Sequence, residues 1–160
     1  MNPSHNAPAT ALPAPEAKQN FWWPRTNTQE LAFKAAQNAA VAYGLIALGY
    51  VIASLWIVFT GRSLIYSHNG FPAITAGTDV VIAVIAAYLA WRSQKRPTLV
   101  LSVVALLWVL LEFAGKIAAL QDAIIYHYWA QILATIAALG AVRGSLALRK
   151  LSPPSSPGSA

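Results

Sequence analysis

The stretch that most constrains this chain is Leu99–Leu120, LVLSVVALLWVLLEFAGKIAAL. It runs from Leu99 to Leu111 without a charge, meets Glu112 and Lys116, and then turns apolar again. A helix needs about twenty predominantly apolar residues to cross the hydrocarbon core of a bilayer, and this stretch has that length. Composition points the same way. Only 10% of the residues are charged and 57% are hydrophobic, whereas soluble domains carry about a quarter charged residues. The charges cluster at a few points, with long apolar runs between them, as in an integral membrane protein.

The runs predict an all-α fold, an integral membrane bundle of four transmembrane helices with disordered N- and C-terminal tails. Residues 1–27 form the N-terminal tail, 28–150 the membrane domain and 151–160 the C-terminal tail. The spans are placed at about 39–60, 76–92, 98–120 and 124–142. The first tail is rich in Pro, Ala, Asn and Ser and has no apolar periodicity. At its end, Trp22 and Trp23 beside Arg25 form an interfacial anchor, since an indole has both an apolar body and a polar edge. Thr26 or Thr28 caps a helix that runs from Gln29 into the first span. Such a helix would be about 48 Å long, so its first turns project from the bilayer or bend, with Gly44 and Gly49 as bend points. Gly61 and Arg62 end this span, and Ser67–Pro72 reads as a turn.

Thr75 or Thr78 caps the second span, with Asp79 in its first turn, where a carboxylate suits the helix dipole. Ala83, Ala86, Ala87 and Ala90 give it a small-residue stripe. A short connection at Gln121–Ala123 makes the third and fourth spans an antiparallel hairpin of neighbours. Gly140 and Gly144 form a GxxxG near the far end of the fourth span, and the tail from Leu151 is rich in Pro and Ser.

Four spans put both termini on one side. That side carries Lys18, Arg25, Lys34, Arg92, Lys95, Arg96, Arg143, Arg149 and Lys150, and the other carries Arg62. Cytoplasmic loops are enriched in Lys and Arg, so both termini are expected in the cytoplasm. The alanine-rich composition suggests a bacterial source and hence the inner (plasma) membrane.

Glu112 and Lys116 lie about 40° apart on a helical wheel and share a face. Each charge costs about 2.5–3.5 kcal/mol at the bilayer centre, so the pair should face the bundle. The hairpin sets Lys116 level with His127 or Tyr128, and Glu112 level with Gln131 or Ile132. His127, Gln131 and Thr135 recur every four residues, one polar stripe on the fourth span. The expected result is a buried intramembrane cluster of Glu112, Lys116, His127 and Gln131. Its first reading is structural: the groups satisfy one another and hold helix register. Its second is a transport or proton-relay role for Glu112. The mid-span hydroxyls Ser54, Ser102 and Thr135 are expected to bond back to their own helices.

Two histidines on the exoplasmic side, His68 and His127, could ligate a b-type haem, or a metal together with Asp79 or Asp122. There is no cysteine, which excludes disulfides, thiolate metal sites and cysteine nucleophiles. No Gly-rich phosphate loop, serine-nucleophile elbow or HExxH occurs. The net charge of +6 belongs to residues flanking apolar runs. It therefore reads as membrane orientation, with no nucleic-acid partner. Four spans in a short chain looks like the small multidrug-resistance transporters. Those carry a Glu in the first span, where this chain has none, and no family is assigned.

The function read from these features is non-catalytic, and the protein is not expected to be an enzyme. It is a subunit, accessory or scaffold component of an inner-membrane assembly, in contact with lipid and with other membrane subunits or copies of itself. The alternatives are a small oligomeric transporter or channel using Glu112, and a haem- or metal-binding protein using His68 and His127.

Overall fold

The structure, a computed structural model, describes residues 20–61, 72–118 and 126–151. Residues 1–19 and 152–160 of the expected tails, Ser67–Phe71 of the expected turn and the Gln121–Ala123 connection lie outside these residues. Residues 20–27 are described, with Pro24 buried, and Pro72 and Leu151 belong to helices rather than to a turn and a tail. The fold is all-helical: α1 (Gln29–Ala36), α2 (Asn38–Thr60), α3 (Pro72–Lys95), α4 (Leu99–Ala118) and α5 (Tyr126–Leu151). Three apolar helical segments, Gln29–Thr60, Ala73–Lys95 and Trp129–Leu151, are long enough to cross a membrane, and Leu99–Gly115 is a shorter apolar helix.

Local chemistry sets the helix ends. Thr28 Oγ1 accepts the Leu31 N–H at 3.3 Å and caps α1. The chain stays helical through Gly44 and Gly49. It breaks at Gln37, whose carbonyl accepts the Ala40 N–H in a tight i to i+3 bond before α2 continues. Gly61 closes α2 in the left-handed region at φ +67°, with its N–H on the Ile57 carbonyl at 2.8 Å. Pro72 then opens α3, a position where the missing N–H costs nothing. The helix therefore starts before Thr75, and Asp79 lies about two turns inside it rather than in its first turn. Thr98 caps α4 through the Leu101 N–H at 3.3 Å. The last helix continues past Val142 to Leu151, which carries Arg143 and Gly144 within it.

The helices do not pack simply in chain order. The central helix α2 lies against α3 on one side and α5 on another, and α5 also holds α1 and α4, whereas α3 and α4 barely touch. Ala53, Ser54 and Ile57 of α2 and Ala76, Ala83 and Ala86 of α3 are all buried, and Ala90 packs against the core, so most of the expected alanine stripe is used. Ala87 on that stripe is exposed. At one end of the bundle, Gln37 Nε2 donates to the Gln94 carbonyl at 2.8 Å. This joins the start of α2 to the end of α3 and gathers the basic residues of α3 and α5 at the same end.

The interior is built from small residues. Among the described residues, its buried hydrophobic side chains are alanines, apart from Tyr43, Ile46, Ile57 and Val109. Large apolar side chains point outward instead, among them Val58 and Phe59 on α2, Val81 and Val84 on α3, and Val100 and Leu111 on α4. Water drives large apolar groups inside, but lipid does not, and helices in lipid associate through close backbone approach at small residues. An apolar exterior over a small-residue interior fits a helical membrane protein.

The GxxxG of α5 shows how close that approach is. A Cβ placed on Gly144 would lie 2.7 Å from the Ala32 carbonyl oxygen and 2.7 Å from the Ala35 carbonyl carbon. A Cβ on Gly140 would lie 3.3 Å from Pro24 Cγ. Both glycines therefore admit the N-terminal segment: α1 lies against Gly144, and the buried Pro24 against Gly140.

Candidate functional site

Tyr43, Ser102, Gln131 and Ser145 line the contacts of α4 with α2 and α5, while Ser54, Asp79 and Ser93 are buried on α2 and α3. Tyr43 of α2 is fully buried, and its hydroxyl donates to the Leu101 carbonyl at 2.9 Å. Its ring meets Trp108 edge to face, with centroids 6.1 Å apart. Trp108 Nε1 in turn donates to Glu112 Oε1 at 2.9 Å, one helical turn away on α4. Between α4 and α5, Gln131 Nε2 donates to the Val109 carbonyl. Ser102 and Ser145 share a buried hydrogen bond at 2.8 Å.

Each contact has a chemical cause. An unpaired polar group in a water-free interior is costly. A helix carbonyl keeps a second lone pair after its ladder bond, so a donor from a neighbouring helix can use it. Tyr43 and Gln131 both take this route, to carbonyls of α4. Glu112 is half-buried and receives the indole N–H from its own helix. These bonds tie α2, α4 and α5 together at fixed rotation, so the seam is suited to setting register.

Of the expected cluster, Glu112 and Gln131 both sit on this seam. Gln131 reaches Val109, about one turn nearer the basic end than Glu112. Lys116 and His127 lie within helices, but their side chains fall outside the described residues. Of the haem and metal candidates, His68 and Asp122 also lie outside them, while Asp79 is buried on α3. Among the described residues, no three His, Cys, Asp or Glu side chains come together in a group that could hold a metal.

The hydroxyls divide. Thr135 Oγ1 donates to the Gln131 carbonyl at 2.8 Å, on its own helix as expected. Ser54 does not bond back to α2. Its hydroxyl donates across the interface to the Ala76 carbonyl at 3.2 Å, because small residues on both sides bring the two backbones within reach. Ser102 does both, donating to Thr98 at 3.1 Å and pairing with Ser145.

Tyr43 and Trp108 were not singled out by the sequence reading. The Trp108–Glu112 spacing of four was a usable signal, since it places a donor over an acceptor on one helix face. Tyr43 had a weaker one, as a lone hydroxyl-bearing side chain in an Ala/Gly-rich turn (AAVAYG). Ser145 had none, because its role depends on the facing helix.

A second polar locus lies at the basic end. The Arg143 guanidinium carbon sits 4.3 Å from the centre of the Trp23 ring, a cation–π contact between α5 and the segment before α1. Trp22 and Trp23 are both exposed beside it. Compared with known proteins, the chain matches no family model, no curated protein and no solved structure.

Proposed function

We propose that this chain is a small four-span, non-catalytic component of a membrane assembly, a subunit, accessory factor or scaffold, placed in a bacterial inner membrane with both termini in the cytoplasm. The observation that carries the reading is the way polar side chains are spent on helix–helix contacts. Tyr43, Ser54, Ser102, Gln131 and Ser145 all bond to a neighbouring helix. Glu112, Lys116, His127 and Gln131 would extend this seam toward the other end of the bundle and lock α4 to α5.

The fourth span is α4. Its 20 residues cover about 30 Å at 1.5 Å per residue, the thickness of the hydrocarbon core. The orientation rests on the basic residues gathered at one end of the bundle. Contact with a partner fits the outward face of α2, where Gly49 is exposed in line with Ile52 and Trp56. A Cβ on Gly49 would meet nothing within 4 Å, so the chain's own helices leave that place open.

Affinity purification in mild detergent tests this. The tagged wild type should recover a stoichiometric membrane partner or a second copy of itself. Gly49→Leu should lose that partner at least tenfold, while its own unfolding transition stays in place. A wild type that purifies as a monomer from several mild detergents would count against the assembly role. Liposome flux separates it from the transporter alternative. We expect no proton-coupled flux from the wild type. Flux that Glu112→Gln abolished would replace the assembly role with transport.

A further inference from the structure

We propose that the groove between the Trp23 segment and the C-terminal half of α5 is a binding site for one anionic phospholipid. The proposal rests on the membrane reading above. The groove encloses about 600 Å³ and is lined by Trp23, Thr26, Leu139, Arg143, Leu146 and Lys150 among others, none of them acidic. Leu139, Arg143, Leu146 and Lys150 follow one another at intervals of four, three and four, so they share one face of α5. Two cations and two leucines therefore alternate along the groove.

Arg143 supplies the sharper observation. Its guanidinium is a permanent cation with five N–H donors. One terminal nitrogen of that group is buried and has no hydrogen-bond partner among the described residues. The ion pair described in the structure, Glu30–Lys34 at 2.7 Å, does not involve it. The Trp23 ring covers one face of the guanidinium and offers no acceptor oxygen. A permanent cation that lines the groove beside Lys150, with no carboxylate in the lining, calls for an anion with several acceptor oxygens, and a phosphodiester is one.

The apolar half of the site says which phosphodiester. Leu139 and Leu146 are both about half exposed, at 49% and 45%. Leu139 lies on the bundle-centre side of Arg143, so an acyl chain running from a phosphate at Arg143 toward the bilayer centre would lie over it. A free phosphate would leave Leu139 uncovered. The groove is at the basic end of the bundle, where pockets between helices suit anionic headgroups. Trp23 at its rim matches the headgroup depth that indoles favour.

Native mass spectrometry of the full chain, released from detergent with equal amounts of phosphatidylglycerol and phosphatidylcholine, tests the site. One phosphatidylglycerol should be retained at least about fivefold over phosphatidylcholine, and Lys150→Gln should lower its retention about fivefold, the weight of one basic residue at a membrane surface. Arg143→Gln should lower it further. Lys150 is exposed on the last turn of α5, so its variant keeps the fold. Millimolar glycerol phosphate should not displace the lipid. Equal retention of both lipids, or unchanged retention in Lys150→Gln, would overturn the proposal. Displacement by glycerol phosphate would overturn it too, leaving a site for free anions. A chain that stayed in solution without detergent would instead sink the membrane reading.

Discussion

Gly144→Ala should destabilise the protein by about 1–3 kcal/mol, the usual cost of forcing one extra carbon into a filled interface. A Cβ there would meet backbone rather than a pliable side chain, at 2.7 Å from both the Ala32 oxygen and the Ala35 carbonyl carbon. Carbon atoms rest at about 3.5–4.0 Å from one another, so α1 must move away from α5. The movement would also disturb Gly140, whose near neighbours are Asn38 and Pro24, and the seating of Trp23 over Arg143. Gly44→Ala is the matched control, because a Cβ at Gly44 meets nothing within 4 Å. In a helix interior that change should be neutral or stabilising by up to about 1 kcal/mol. Unfolding free energies from SDS titration in mixed micelles would measure both variants. If Gly144→Ala were as stable as Gly44→Ala, the tight docking of α1 on α5 would be wrong.

The contrast between these two glycines also shows what the sequence made legible. Gly140 and Gly144 form a recognisable spacing, but spacing alone does not say which helix they receive. The same holds for Gly44 and Gly49, which read as bend points, yet the helical run is interrupted at Gln37 and a Cβ on either glycine meets nothing within 4 Å. Small residues mark where a backbone can come close. Which backbone arrives depends on the rotation and tilt of whole helices, and one chain's residue order does not encode that locally.

Helix existence was more legible than helix packing because it rests on local signals. Thr28, Gly61 and Thr98 each act where their chemistry suggests. Thr75 and Thr78 are the exception. Both are good capping residues, but Pro72 precedes them with a fixed φ that already suits a helix, so α3 starts earlier. Thr78 then turns its hydroxyl back to the Ile74 carbonyl at 2.9 Å, and Asp79 falls inside the helix. Counted from Thr75, Asp79 falls in the first turn, where the helix dipole acts; counted from Pro72 it does not.

One bond of the polar seam was legible as a contact between two helices. Two stripes on α4 and α5 had to meet if the helices formed a hairpin, and Gln131 does bond to α4. The partner is a backbone carbonyl, however, and every residue has one of those, so no side-chain pattern could single out Val109. Tyr43–Leu101 was hidden for the same reason. In a membrane interior, where side chains are mostly apolar, carbonyls are the most abundant acceptors. A reading that pairs side chain with side chain will therefore miss the bonds most often made.

Tyr43 gives the largest expected effect and separates packing from hydrogen bonding. It is the bulkiest fully buried side chain described, lying where α2 meets α4. Tyr43→Ala should cost about 3–5 kcal/mol, the range for deleting a buried aromatic ring. The interior around it is mostly alanine, and alanines have no flexible ends to swing into the space, so the cavity should stay open. Trp108 would lose its edge-to-face neighbour at 6.1 Å as well. Tyr43→Phe removes only the hydroxyl. The Leu101 carbonyl stays in the α4 ladder, so the loss should be about 0.6 kcal/mol and no more than about 1.7, as for other interhelical bonds in membranes. The two variants should thus differ by at least about 1.3 kcal/mol in the same SDS titration. If Tyr43→Phe cost as much as Tyr43→Ala, the hydrogen bond rather than the ring would hold α2 to α4. The polar seam would then be the main source of stability rather than a means of fixing register on a packed small-residue frame.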